Sequence, residues 1–174
     1  MTHPLSSTLI RPAREDEADT IAGLHVAIWR ATYRDYASAE ALATLDEAKR
    51  LPYWIEALAS DDPRTGVLVA ETAGAISGII SFGPSSHAAF GGRTEIKHLY
   101  VQSYVQSQGI GRRLLTSVLE RPDIHAGNGV GLAVVRQNER ARRFYQTMGG
   151  VEIGTFTDPG PLWRSDNIVM AWDS

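Results

Sequence analysis

Along this chain the hydrophobic positions switch between a spacing of about two, as in a strand, and a spacing of three to four, as in a helix. Leu9-Ile10-Arg11 reads as a short opening strand, and Glu15, Asp16 and Glu17 after it form the acidic first turn that favours a helix start. Ile21, Leu24, Ile28 and Trp29 then recur on one helical side, continued by Thr32 and Tyr36, which predicts a face packed on a sheet. A second helical region covers roughly 38–59, interrupted by Pro52, which either opens a new helix at its first turn or kinks one. Residues 65–71 and 75–82 are apolar or β-branched runs on either side of Ala73-Gly74, the pattern of two antiparallel strands and a tight hairpin.

A loop at 87–92 containing Gly91-Gly92 precedes a strand over 94–101 and a polar segment at 102–108. Residues 109–120 carry Ile110, Leu114, Leu115, Val118 and Leu119 on one side, an amphipathic helix that Pro122 closes. The apolar run 129–135 predicts a short strand, and 139–148 a helix whose inner face offers Ala141, Phe144, Tyr145 and Met148 before Gly149-Gly150 stops it. Strands at 151–156 and 167–172, with a turn at 158–161, complete the pattern of one domain over residues 1–174.

Bulk properties narrow the chemistry. The 174 residues suit one compact core, with 43% hydrophobic and 21% charged residues in the ordinary globular range. Seventeen Lys plus Arg against twenty Asp plus Glu leave a formal charge of -3, so the chain lacks the positive field of a general nucleic-acid binder. The absence of cysteine excludes disulfides, thiolate metal sites and a covalent acyl-cysteine route, and no metal site is expected. Residues 1–10 show no basic segment followed by an apolar run, and no stretch approaches a membrane span, so the expected protein is soluble and cytoplasmic.

Gln106-Ser107-Gln108-Gly109-Ile110-Gly111 falls between a predicted strand and a predicted helix, where free amides and the positive helix end hold an anion. Glycine at 109 and 111 lets the main chain approach phosphate oxygens, and Arg112 and Arg113 add charge. On these residues alone a tight turn without a ligand remains an equal reading. No Gly-Lys-Ser/Thr follows, so this is not a Walker loop, and it is not the first glycine turn of a dinucleotide fold.

At these positions the chain resembles the GNAT superfamily of N-acetyltransferases, whose acyl-CoA motif is Gln or Arg, two residues, Gly, one residue, then Gly or Ala. Residues 95–101 resemble its fourth strand, Asn138, Ala141, Phe144-Tyr145 and Gly149-Gly150 its following helix, and 26–36, with Trp29-Arg30 and Tyr33-Arg34, its first helix. The resemblance covers nearly the whole chain. It implies an α/β (α+β) fold with a mixed, mostly antiparallel sheet of six to seven strands, about four flanking helices, and a splay between the fourth and fifth strands. It also implies acetyl-CoA as cofactor, its pantetheine arm bonded to main-chain groups around Leu99, Tyr100 and Val101, with the turn 106–111, Arg112, Asn138, Ala141 and Phe144 completing that site. Ser107 and Gln108 replace a common glycine and basic residue, removing one charge near the phosphates.

The implied reaction is direct transfer of acetyl to a primary amine of a small molecule or peptide in a ternary complex. A lysine-like ammonium must first lose its proton, at about 1.36 kcal/mol per pKa unit or roughly 4 to 5 kcal/mol at neutral pH. By similarity Glu95 is the base, often through water, and Tyr145 gives a proton to the departing sulfur. His98 is a second candidate base, placed opposite Glu95 by strict strand alternation unless a bulge intervenes. Each residue also has a plainer reading: Glu95 as a solvated charge paired with Arg93 or Lys97, Tyr145 as a core aromatic, Asn138 as a helix N-cap. Trp29, Tyr33 and Tyr36 line an acceptor pocket or belong to the core. A non-catalytic acyl-CoA-binding module is the alternative function, and dimers through the last strands are common among similar proteins.

Overall fold

The structure is a computed structural model that describes residues 7–125, 127–160 and 164–173. Residues 1–6 of the N-terminus read above for targeting signals, and Pro161 of the predicted turn, lie outside the described residues.

Strand β1 (Thr8–Pro12) leads through a 3-10 turn at Glu15–Glu17 into α1 (Ala18–Tyr33). The interrupted helical region resolves into α2 (Ala39–Thr44) and α3 (Glu47–Ala59), and the break lies at Leu45-Asp46, not at Pro52. Asp46 decides this locally, because its Oδ1 accepts the Lys49 amide at 2.9 Å and starts a new helix. Pro52 then sits inside α3, where one missing amide is tolerated beside the packing of Trp54, which is 0% exposed.

The hairpin joins β2 (Gly66–Thr72) to β3 (Ala75–Pro84), with Ala73 and Gly74 both at positive φ, 52° and 79°. Then follow β4 (Thr94–Val101), α4 (Ile110–Leu119), β5 (Val130–Val135), α5 (Glu139–Thr147), β6 (Val151–Asp158) and β7 (Ser165–Trp172). One seven-stranded sheet results, in the order β1-β2-β3-β4-β5-β7-β6. Every neighbouring pair is antiparallel except β4 and β5, which run parallel. This is the expected mixed, mostly antiparallel sheet with helices on both faces.

One face is covered by α4, whose Leu114, Leu115 and Val118 pack against Ile80, Ile96, Leu132 and Met170, and by the inner face of α5. On the other, Ile21, Leu24 and Ile28 of α1 and Trp54 of α3 meet Val67, Val69 and Ile79. Fully burying one such leucine stabilises by roughly 2 kcal/mol. These contacts hold the helices at fixed positions above the sheet and thereby set the walls of the cleft described next.

Candidate active site

β4 and β5 pair only at Thr94↔Val130, Glu95↔Gly131 and Ile96↔Leu132. Beyond Ile96, β5 stays with β7 and β4 stays with β3, so the two strands part and leave the β5-facing edge of β4 open. A bulge accompanies the parting: Ser81 opposes His98 while Phe82 opposes Ile96, so Lys97 is the extra residue. A bulge bends a strand and raises its twist, which drives the splay. The cleft between the strands encloses about 870 Å³.

The bulge also resolves the facing of the two candidate bases. Thr94 and Ile96 turn to the α4 face, where Thr94 Oγ1 donates to the Ile124 carbonyl, so Glu95 between them points to the α1/α3 face. After Lys97 the alternation restarts out of phase. His98 packs on Tyr53 and Trp54 with ring centroids at 5.2 and 4.9 Å, while Leu99 and Val101 join the α4 core. Glu95 and His98 therefore share a face, contrary to strict alternation.

At the far end of β4 the segment 106–111 forms a turn with Ser107 and Gly109 in the left-handed region, at φ 67° and 79°. Gly109 is the N-cap of α4 and has no side chain with which to satisfy the helix start. Among the described residues the amides of Ser107, Gly109, Ile110, Gly111 and Arg112 have no hydrogen-bond partner, and all five residues line the cleft. Orphan amides at a helix N-terminus suit a phosphate. Gln106 lines the same wall and donates from Nε2 to the Val101 carbonyl at 3.1 Å, tying the turn to the strand end. Gln108 lies outside the lining, its Nε2 reaching the Tyr104 carbonyl at 3.5 Å. The open edge of β4 and this amide cluster together fit an extended chain ending in a diphosphate.

The opposite wall is α5. Asn138 caps it, Oδ1 accepting from the Ala141 amide at 3.2 Å, and Asn138, Ala141, Phe144 and Tyr145 all line the cleft. Tyr145 stands edge-on to Phe144 and to Trp172, at 5.4 and 6.1 Å. Trp172 in turn donates to the Met148 carbonyl at 3.0 Å, and Gly150 donates to the Tyr145 carbonyl at 2.9 Å, so the last turn of α5 is fixed at both ends. Burial, and after it the nearby Tyr33, pushes the Tyr145 phenol well above its usual range, so it remains a proton donor at neutral pH.

Leu99, Tyr100 and Val101 form the β4 wall, with His98 beside them. Burial holds the His98 imidazole well below its ordinary pKa, helped by His25, Arg50 and Lys97, and its Nδ1 lies 2.7 Å from Ser81 Oγ. Glu95 is not in the cleft lining: its Oε2 accepts from the amide and the hydroxyl of Ser86, each at 2.9 Å, and lies 3.7 Å from Lys97 Nζ. At the α1 end Tyr33 and Tyr36 line the cleft, whereas Trp29 packs behind Tyr33 against Ala41 and Leu45. The sequence pattern did not single out Tyr53, Ser81 or Arg50. The available signal was the i, i+3, i+4 set Arg50, Tyr53 and Trp54 in the second helical region. No cluster of three metal-type ligands occurs among the described residues, and no described helix is long and apolar enough to cross a membrane.

Known proteins resemble this chain in sequence and in fold. A probable N-acetyltransferase of Mycobacterium tuberculosis is 28% identical over 144 residues, covering 81% of this chain and 78% of the relative. An N-acetyltransferase of Staphylococcus aureus Mu50 superposes with a TM-score of 0.71 at 18% identity, over 97% of this chain and 99% of the other. An N-acetyltransferase of Thermoplasma acidophilum, solved in complex with coenzyme A, gives 0.66 at 19% identity, over 95% and 99%. The profile of the acetyltransferase (GNAT) family matches residues 25–149, from α1 through the end of α5, and so takes in the splayed strands, the amide turn and the tyrosine helix. The chain belongs to the GNAT family of acetyltransferases, enzymes whose acetyl donor is acetyl-CoA.

Proposed function

We propose that the protein transfers an acetyl group from acetyl-CoA to a primary amine by direct attack in a ternary complex. The observation that carries this reading is the convergence, on one cleft, of five partnerless amides at the start of α4, the open edge of β4 and the Tyr145 phenol. Acetyl-CoA supplies a thioester carbonyl as the electrophile.

The amides of Ser107, Gly109, Ile110, Gly111 and Arg112 hold the diphosphate, with Arg112 adding charge at the mouth. The β4 backbone around Leu99, Tyr100 and Val101 holds the extended arm and polarises the acyl oxygen. Ala141 and Phe144 close the α5 side, and Asn138, already a helix cap, keeps its side-chain nitrogen for the cofactor. As the amine nitrogen bonds to the carbonyl carbon, its proton passes through water to Glu95, whose bonds to Ser86 and Lys97 all fall on Oε2. As the carbon–sulfur bond breaks, Tyr145 Oη gives its proton to sulfur. Tyr33 lines the acceptor end, and Trp29 stiffens the wall behind it. Solvent-exposed Val151 and Ile153 on edge strand β6 support a homodimer through the last strands, which sedimentation velocity tests.

Two measurements test the reading together. Calorimetry is expected to show acetyl-CoA binding that G109A weakens, and amines with acetyl-CoA are expected to release free thiol. No binding would overturn the cradle. Binding without thiol release from any amine or peptide would identify a non-catalytic acyl-CoA module instead.

A further inference from the structure

We infer that the acceptor amine also carries a carboxylate, as a free amino acid does, and that Arg50 on α3 holds that carboxylate at the acceptor end of the cleft. This rests on the acetyl-transfer reading above and names its substrate class.

Arg50 lies three and four residues before Tyr53 and Trp54, so the three share one face of α3. That face is turned toward the β4 wall of the cleft: Tyr53 and Trp54 both pack on His98, a cleft-lining residue, and Trp54 Nε1 donates to His25 Nδ1 at 3.0 Å. Among the described residues the Arg50 guanidinium donates no hydrogen bond and forms no ion pair, and its Nε is buried without a partner. The other half-buried arginines each reach a carboxylate, although the Arg142 Nε is likewise buried without a partner. Arg11 reaches Glu17 and Glu71, Arg93 reaches Asp173, and Arg142 reaches Glu152. The nearest acidic residue on the same helix, Glu47, lies instead against α1, its carboxyl carbon 3.5 Å from where a Cβ of Gly23 would stand.

A planar cation with a buried, unsatisfied donor is an unfinished site, since it has lost water without gaining a protein acceptor. Its charge reaches the cleft. After burial, which dominates each shift, Arg50 lowers the His25 and His98 imidazoles and partly offsets the rise of the Tyr53 and Tyr100 phenols. The complement to a guanidinium fork is a carboxylate that accepts two parallel N–H bonds. A free amino acid places that group two bonds from its amine, so one molecule meets Arg50 and still presents nitrogen to the thioester. A peptide N-terminus or a simple polyamine has no such group.

The test compares each of the twenty amino acids with its carboxamide as acceptor, by thiol release from acetyl-CoA. For the preferred side chain, the wild-type kcat/KM is expected to favour the acid over the amide by about 10- to 100-fold, the range for one hydrogen bond to a charged group. R50Q should bring that ratio close to one, and R50K, which keeps the charge without the fork, should fall between. Circular dichroism of R50Q and R50K separates loss of preference from loss of fold. A wild-type enzyme that treats acid and amide alike, or an R50Q ratio unchanged from wild type, overturns the inference. If no amine releases thiol, the acetyl-transfer reading fails by itself. Calorimetric titration of the same pairs into the CoA-loaded protein then decides: acid-selective binding lost in R50Q upholds the role of Arg50, and its absence removes it.

Discussion

Replacing Tyr145 with phenylalanine removes one oxygen and little else. The ring keeps its edge contacts to Phe144 and Trp172, and among the described residues no hydrogen bond ends on Oη. Stability should therefore change by no more than about 0.5 kcal/mol. The amides proposed to hold the diphosphate stand on a different wall, so the Kd for acetyl-CoA should not move. What disappears is the proposed proton donor to sulfur. A positioned donor contributes about 100- to 10,000-fold, so kcat should fall at least about 100-fold, or about 2.7 kcal/mol at 1.36 per decade. Because burial raises the phenol, the wild-type rate should show no downturn from its ionisation below about pH 10. The assay is initial-rate thiol release from pH 6 to 9 with saturating amine, beside calorimetry of acetyl-CoA and urea denaturation of both proteins. Turnover within twofold of wild type across that range refutes the proton-donor role, and a kcat that holds while acetyl-CoA affinity drops reassigns Tyr145 to binding.

At Gly109 a Cβ would meet nothing within 4 Å, so G109A is strained only by its φ of 79°, at about 1 to 2 kcal/mol; acetyl-CoA affinity should fall about tenfold by calorimetry, and an unchanged Kd would count against the amide cradle. His25 is buried, and burial, then Arg50, lowers its pKa from 6.5 to about 3. The unfolded chain takes up a proton near pH 6.5 that the folded protein refuses until about pH 3, so stability falls as the pH drops through that window. From His25 alone the loss at pH 5 is about 2 kcal/mol, measurable as a lower urea midpoint, and equal midpoints at pH 7 and 5 would contradict it. E95Q should reduce kcat about 100-fold, whereas H98Q should leave it within a few-fold of wild type, both read by initial-rate thiol release; the reverse pattern makes His98 the base.

Much of the fold was legible because its signals are local. Residues 94–101 match β4 end to end, since alternation, a preceding Gly-Gly and a following polar run all mark its limits within a few residues. The one-sided leucines of α4, the hairpin at Ala73-Gly74 and the stop at Gly149 are likewise short-range statements about φ and periodicity. The helix break was not: Pro52 is the louder signal, but the side-chain bond from Asp46 to Lys49 depends on where α2 ends, which packing of Ala41 and Leu45 against α1 decides.

By itself the sequence determined the order of elements, the glycine turn at 106–111 and the presence of a tyrosine on the inner face of the last helix, because each follows from spacing along the chain. Only the tertiary structure decided that the bulge at Lys97 puts Glu95 and His98 on one face, that Glu95 is engaged by Ser86 while His98 lines the cleft, and that Trp29 stands behind Tyr33. It also decided that Arg50, one charge among many in the sequence, has its Nε buried without a hydrogen-bond partner. The reason is physical: bulge position and charge pairing depend on which segments meet across the sheet, and those meetings are set by long-range packing that no local pattern encodes.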